Sequence, residues 1–500
     1  MPSVVTNDLR VQNARNFVDS VNTPPVEGQA DGMPRAYVFA GRVSPWPNEN
    51  RPPVPDNSIK EFYDVYDNML SLIRIADLDC YLMIRNEKWI AGTIYDIYRH
   101  DYSPTNLSYN NYDNLYDSKF YVINQYNDVY VCLNNFFDSP SIDEPIAEND
   151  EPFFTSDGYQ WLRLFSIRQQ ILYDYSTANF LPVTHDGVNI DNFERPFGEI
   201  LTVRVDNTGF GFTARVGTDN NEITNYYCHI TGNGTGAVAN IRISASRVVD
   251  VRVVRPGSGY TFAELDLLPQ RVYASLPDLD QDKNHLDIGG DDTFRSTVII
   301  GPQNGWGYDI PRQLGATRVG VFSSFGSRTY DFFDDAQFRQ VGILQDPEWN
   351  VDLLGPAPNT LSACYAMTVN EIDINKVFQM GELISQPVYV DDKTHYAKGI
   401  IVGFDEVEKI LRYIVVPDKC MSNDGNIYPF ERSGIITGFI SRKQVEVKDF
   451  TGTQSNLYFN NGLADSEITH YTGKMTYLGN LPPVQRAATQ TERVSLIIQY

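Results

Sequence analysis

Apolar residues alternating with a period of two recur along this chain, and that alternation limits the fold more than any other feature. Leu201, Val203 and Val205 alternate with Thr202 and Arg204, and Val249, Val251 and Val253 alternate with Asp250 and Arg252. Val445 and Val447 sit between Gln444, Glu446 and Lys448, and Val494, Leu496, Ile498 and Tyr500 repeat the pattern at the C-terminus. Successive side chains of a strand point to opposite faces, so each run reads as a half-buried strand. One segment reads clearly as helix. Ser58 and Glu61 form a capping box there, and Pro52, Pro53 and Pro55 stop anything helical upstream. Ile59, Phe62, Tyr63, Tyr66, Met69, Leu70 and Ile73 then recur at helical spacing, which predicts one buried face. The expected fold class is mainly β with a few helices: a discontinuous β-layered core domain with two inserted small β modules.

A chain of 500 residues exceeds what a single hydrophobic core usually organises. Turn-rich stretches mark two modules. Segment 187–291 carries Gly232-Asn-Gly-Thr-Gly236, a Val-rich strand, and Pro256-Gly-Ser-Gly-Tyr260, which describes a small Gly-rich β unit. Segment 362–450 carries Gly381-Glu-Leu-Ile-Ser385, Ala397-Lys-Gly-Ile-Ile-Val-Gly403 and Ile410-Leu-Arg-Tyr-Ile-Val-Val416, which suits a small β-barrel or sandwich-like module. The core is then expected in three parts, 1–186, 292–361 and 451–500, the last ending in the C-terminal strand.

The formal charge of −24 opposes binding to nucleic acid phosphates and anionic lipid, because affinity for either rests on Lys and Arg. No nucleic acid partner and no membrane insertion are expected, since apolar runs of about 18 residues are missing. Met1 to Val21 lacks an apolar signal core, so synthesis in the cytoplasm is expected. Cys80, Cys132, Cys228, Cys364 and Cys420 are scattered without a C-x-x-C pair, and reduced, buried thiols are the simplest reading. The 31 Tyr, 27 Phe and 5 Trp suit strands and wet interfaces better than helix bundles.

Motifs for chemistry are weak. His100, His185, His229, His285, His395 and His470 each stand alone, without the spacing of a zinc or catalytic site. Gly232 to Gly236 lacks the Lys and Ser or Thr of a phosphate loop, and no G-x-S-x-G elbow occurs. The run Asp278, Asp280, Asp282 begins like a calcium loop, but Lys283 stands where glycine is needed and Gly289 where a bidentate Glu is needed, so a solvated linker is favoured. No catalytic residue, metal ligand or cofactor is assigned.

The segment Tyr37-Val-Phe-Ala-Gly-Arg-Val-Ser-Pro-Trp-Pro-Asn-Glu-Asn50 is more informative, because Arg and Trp in a Pro-bounded loop are residue types enriched at interface anchors. Here the chain resembles the baseplate wedge subunit of T-even-type contractile-tailed phages, the product of their gene eight, in an enlarged, cyanophage-like version. Phe39-Ala-Gly41-Arg42, Pro45-Trp46 and Asn48-Glu49-Asn50 match that family in order, and the capped helix from Ser58 follows. Asp128-Val-Tyr-Val-Cys132, Asp157-Gly-Tyr159-Gln-Trp161-Leu-Arg-Leu-Phe165, Trp306-Gly-Tyr308 and Phe338-Arg-Gln-Val-Gly-Ile-Leu-Gln-Asp-Pro347 are similar to later blocks of the family. The end carries Gly473-Lys-Met475, Tyr477, Asn480, Pro482-Pro483 and Gln490-Thr491-Glu492. These collinear blocks cover roughly 1–186, 292–350 and 466–500, a little over half the chain; the two inserted segments have no counterpart in the T-even protein.

The resemblance implies a non-catalytic structural protein of the virion's tail baseplate wedge, a homodimer that contacts other wedge proteins. Arg42, Trp46, Tyr159 and Trp161 are candidate subunit-interface or local core anchors. The rival from another class is a host-surface carbohydrate-binding or carbohydrate-degrading tail protein, which needs a groove of clustered Trp, Tyr and carboxylates. Burial of Val494, Leu496, Ile498 and Tyr500 is expected to be worth on the order of 6 to 12 kcal/mol, so loss of the last strand is expected to be severe and deletion of Met1 to Asp19 mild.

Overall fold

The computed structural model describes residues 3–22, 36–75, 79–183, 195–212, 224–265, 267, 272–291, 293–325, 337–349, 359–455, 457–485 and 491–500, and the fold is mainly β. His185, Gln490 and the start of segment 187–291 lie outside the described residues. Two compact units divide the chain: Met1–Arg15 with Tyr81–Val319 and Gln499–Tyr500, and Asn16–Cys80 with Gly320–Ile498. That division cuts across the three segments expected to make one core.

The first unit contains a four-stranded sheet in the order Tyr121–Ile123, Asp128–Asn134, Gln160–Ser166, Phe153–Phe154. Its inner faces bury Val122, Tyr130, Cys132, Tyr159 and Trp161 in one cluster. The alternating strand Ile200–Asn207 pairs antiparallel with Arg295–Ile300. Thr224–His229, Val238–Ser244 and Arg247–Arg255 form a three-stranded sheet. The apolar faces of these strands meet in a second cluster running from Ile200 to Val298. The Gly-rich turns serve that packing: the Tyr260 ring fills the space a Cβ on Gly234 would need, 2.4 Å away, and its hydroxyl accepts from the Ala237 N–H.

The second unit holds a five-stranded sheet in the order Thr360–Ser362, Met69–Arg74, Ala36–Gly41, Gln337–Gln345, Lys474–Gln485. A seven-stranded sheet, six strands of it within segment 362–450 and the seventh Leu463–Ala464, closes on itself, because Ile410–Ile414 pairs both with Lys393–Asp405 and with Tyr365–Glu371. The result is a small barrel around Met367, Ile384, Ile401, Leu411 and Val445.

Three local expectations are corrected. Helix Ile59–Asn68 is capped by Ser58, whose Oγ accepts from Glu61 N, but it stops at Asn68 and Met69–Arg74 is a central strand. Tertiary pairing with Ala36–Gly41 overrides the helical spacing, and Ile59 and Tyr63 stay exposed rather than buried. Deletion of Met1 to Asp19 is expected from the sequence to be mild, but helix Asn7–Asn22 buries Val11, Ala14 and Val18, and Arg15 pairs with Asp309. The C-terminal strand Glu492–Gln499 lies beside Arg318–Phe325, but of its apolar residues Leu496 alone is fully buried, with Val494, Ile497 and Ile498 half-buried, as is Tyr500 just beyond it.

Candidate assembly surface

Strand Ala36–Gly41 delivers the chain into the loop that carries Arg42 and Trp46. Arg42 adopts a left-handed backbone (φ 63) and donates its N–H to the Asn68 carbonyl at 2.7 Å, which turns the loop back over the sheet. Its guanidinium carbon lies 3.7 Å from the Trp46 ring centroid, a close cation–π stack. Trp46 is buried, and its indole N–H donates to the Leu481 carbonyl at 2.9 Å. Partial burial pulls the Arg42 guanidinium below its ordinary range, against the opposing pull of Glu61 and Asp64.

Two further strands pin this loop. Arg339, buried on Gln337–Gln345, donates to Glu49 and to the Val43 carbonyl, while Gln340 holds Asn480, which in turn donates to the Pro53 carbonyl at 2.9 Å. The Arg339 hydrogen bond holds the Glu49 carboxyl below the usual carboxylate range. Lys419 adds a hydrogen bond to Ser44. A loop anchored at so many points has little conformational entropy left to lose on binding.

The anchored loop and the helix Ile59–Asn68 that follows it present apolar side chains to solvent. Val54 is 91% exposed and Ile59 71% exposed. Tyr63 packs edge-on against Tyr471 at 5.3 Å, both half-exposed, and the Tyr471 hydroxyl donates to buried Asp67 at 2.5 Å. Burial raises the carboxyls of Asp67 and Glu61. Val54, Ile59 and Tyr63 are thus large apolar side chains left in solvent along 54–63, a residue type that interfaces use as anchors.

Arg42 and Trp46 are thus brought together, whereas Tyr159 and Trp161 lie elsewhere, wholly buried in the first unit. Their rings stack at 5.4 Å, and the Tyr159 hydroxyl donates to the Ser139 carbonyl. Burial raises the Tyr159 phenol, and the pair packs the local core. Arg339, Asn480 and Tyr471 were missed as members of the site; their only sequence signal was that Arg339 and Asn480 fall inside blocks of the resemblance.

The weaker motifs resolve into separate contacts. Asp280 pairs with Arg255, Asp282 accepts from Tyr273, and Asp278 accepts from Ser275 and Asn284, in the short helix Leu276–Asp280 and the turn after it, which is solvent-exposed over 280–285. Asp424 contacts His395 at 3.2 Å and accepts from Tyr428 and Asn426, which hold its carboxyl down at about 2. All five cysteines are buried free thiols, and burial pushes those of Cys228 and Cys364 up to about 12. Among the described residues no group of three or more His, Cys, Asp or Glu could hold a metal ion, and no helix is long and apolar enough to cross a membrane. In comparisons with known proteins, no family model and no curated protein matches the chain.

Proposed function

We propose that this chain is a non-catalytic structural protein of a phage virion, a tail baseplate wedge subunit that pairs with a second copy of itself and binds other wedge proteins. One observation carries the reading. The blocks that resemble the wedge family at 37–50, 338–347 and 473–483 are far apart in sequence, yet they occupy three adjacent strands of one sheet. They also interlock through Arg339, Trp46 and Asn480. The segment they support exposes Val54, Ile59 and Tyr63 in the manner of interface anchors. The net charge of −24 sets the chain against nucleic acid and anionic membranes as partners.

The experiment is mass spectrometry of purified tails together with light scattering of the isolated protein. The expected results are presence in the tail baseplate and a solution mass twice that of the 56.7 kDa chain. Absence from the virion, or turnover of host polysaccharide abolished by one carboxylate substitution, would overturn the reading.

A further inference from the structure

Helix Ile59–Asn68 carries three carboxylates, Glu61, Asp64 and Asp67, and the chain engages two of them. Asp67 accepts from the Tyr471 hydroxyl, and Asp64 lies 3.6 Å from Lys60 in an exposed pair. Glu61 is left over. Its spacing from Ser58 predicts a reciprocal cap, yet only half of that cap forms. Ser58 Oγ accepts from the Glu61 N–H, while the Glu61 carboxylate has no hydrogen-bond or ion-pair partner among the described residues.

The cations of the neighbouring turn divide in the same way. Arg339 is taken by Glu49, and Lys419 donates to Ser44. Arg42 is half-buried, and among the described residues its side chain makes no hydrogen bond and no ion pair; its Nε is shut off from solvent without an acceptor. Stacking on Trp46 occupies the face of the guanidinium and leaves the donors of its edge unused. Glu61 and then Asp64 act on Arg42 through their charge, but neither reaches ion-pair distance. A half-buried charge without a hydrogen-bonded partner is costly, so both groups gain from one.

A guanidinium and a carboxylate, each without a partner, thus stand on one surface and do not pair with each other. Two copies related by a two-fold axis resolve this, because in such a contact residue i of one copy meets j of the other while j meets i. We infer that this surface pairs with a second copy of the chain, the Arg42 guanidinium of each copy taking the Glu61 carboxylate of the other, with Val54, Ile59 and Tyr63 packed around the two ion pairs. The inference rests on the self-association in the reading above and names the contact that makes it. Charge favours this contact. The chain carries 64 acidic residues against 40 Lys and Arg, so two copies repel unless opposite charges meet where they touch. An arginine–carboxylate pair is also directional, which fixes the register of the two copies.

The test is light scattering of the full chain over a range of concentrations, with Arg42→Glu, Glu61→Arg and an equimolar mixture of the two. Each variant alone sets like charges against each other at both contacts, and is expected to dimerise roughly tenfold or more weakly than the unaltered protein. The mixture is expected to restore the dimer, because the two substitutions then face each other at one contact and the native Arg42 and Glu61 face each other at the second. Melting temperatures report whether each variant is folded. Where Arg42→Glu unfolds with loss of the Trp46 stack, Glu61→Arg alone decides, since the Glu61 carboxylate holds nothing within the described chain. An unchanged dimer in Glu61→Arg, or a mixture of folded variants that stays monomeric, would overturn the inference and leave the wedge reading in place. A monomeric unaltered protein at every concentration would overturn the self-association in that reading, and the inference with it.

Discussion

Arg339 holds both carboxylate oxygens of Glu49 at 3.0 Å through its Nε while its Nη1 donates to the Val43 carbonyl at 2.6 Å. One buried side chain thereby fixes both ends of the turn that seats Trp46. Removing it leaves the Val43 carbonyl without that donor, so Arg339→Met is expected to cost about 3 kcal/mol. Arg339→Lys should recover little, since an ammonium cannot reproduce the planar fork. Urea denaturation, with limited proteolysis within 43–55, checks both; equal midpoints for Arg339→Met and the unaltered protein would contradict this account.

Val54→Asp separates folding from assembly. The side chain is 91% exposed, so the folding stability is expected to stay within about 0.5 kcal/mol of the original. Under the proposed self-association through this surface, a charge at Val54 should nevertheless shift the light-scattering mass from dimer toward monomer. A dimer unaffected by Val54→Asp and by Ile59→Asp would move the self-contact to another surface.

Gly158→Ala is expected to be costly although the change is one methyl group. Gly158 has φ +88, and a Cβ there would stand 2.7 Å from Cγ of Phe136. Backbone strain and the displaced ring together should cost about 2 kcal/mol. Pairing it with Phe136→Gly should recover part of that loss, and a double variant no more stable than Gly158→Ala would show that the ring is not the obstacle.

Glu371 joins Lys409 and Lys443 at the barrel, and Lys443 is almost wholly buried. Glu371→Gln strands that ammonium and should cost about 3 kcal/mol, whereas Lys409→Ala, at the more exposed end, should cost under about 1. Hydrogen bonds from Lys409 and then Lys443 hold the Glu371 carboxyl below its ordinary range. A carboxyl lowered on folding stabilises above its unfolded pKa, roughly 4.3, and loses that contribution as pH falls through the folded value. The stability gap between the unaltered protein and Glu371→Gln should therefore be full at pH 7 and shrink below about pH 4, measured by denaturation across that range.

Stopping the chain at Gln490 removes one buried leucine and four half-buried apolar residues, Val494, Ile497, Ile498 and Tyr500. The expected loss is about 4 kcal/mol, less than full burial of all five would give. Deleting Met1 to Asp19 should also destabilise, because it removes Val11, Ala14 and Val18 and leaves Asp309 without Arg15. Calorimetry of both truncations checks this; an unchanged melting temperature in either would mean that the segment contributes nothing to the folded monomer.

Strand identity was legible in the sequence wherever one face is buried and the other wet, because a period of two then has an unambiguous cause. Val203 and Val205, Val445 and Val447, and Val494 and Leu496 all fall on strands. The Ser58 cap was equally local and equally legible. What the sequence could not decide was anything that depends on a distant partner. Met69 to Ile73 continued the helical spacing of Ile59 to Tyr66, and only pairing with Ala36–Gly41 and Thr360–Ser362 made it a strand. Helix Asn7–Asn22 carries a narrow apolar stripe among asparagines, too weak a signal without its packing context. Arg42 and Trp46 stood out as residue types, but whether each faced a partner or a core was settled by contacts to Asn68 and Leu481, and the role of Arg339 by Glu49, residues hundreds of positions away in the cases of Leu481 and Glu49. Local backbone preference and hydrophobic period act over a few residues and are written in order along the chain; ion pairs, buried carbonyl partners and sheet neighbours are fixed only when the chain closes on itself.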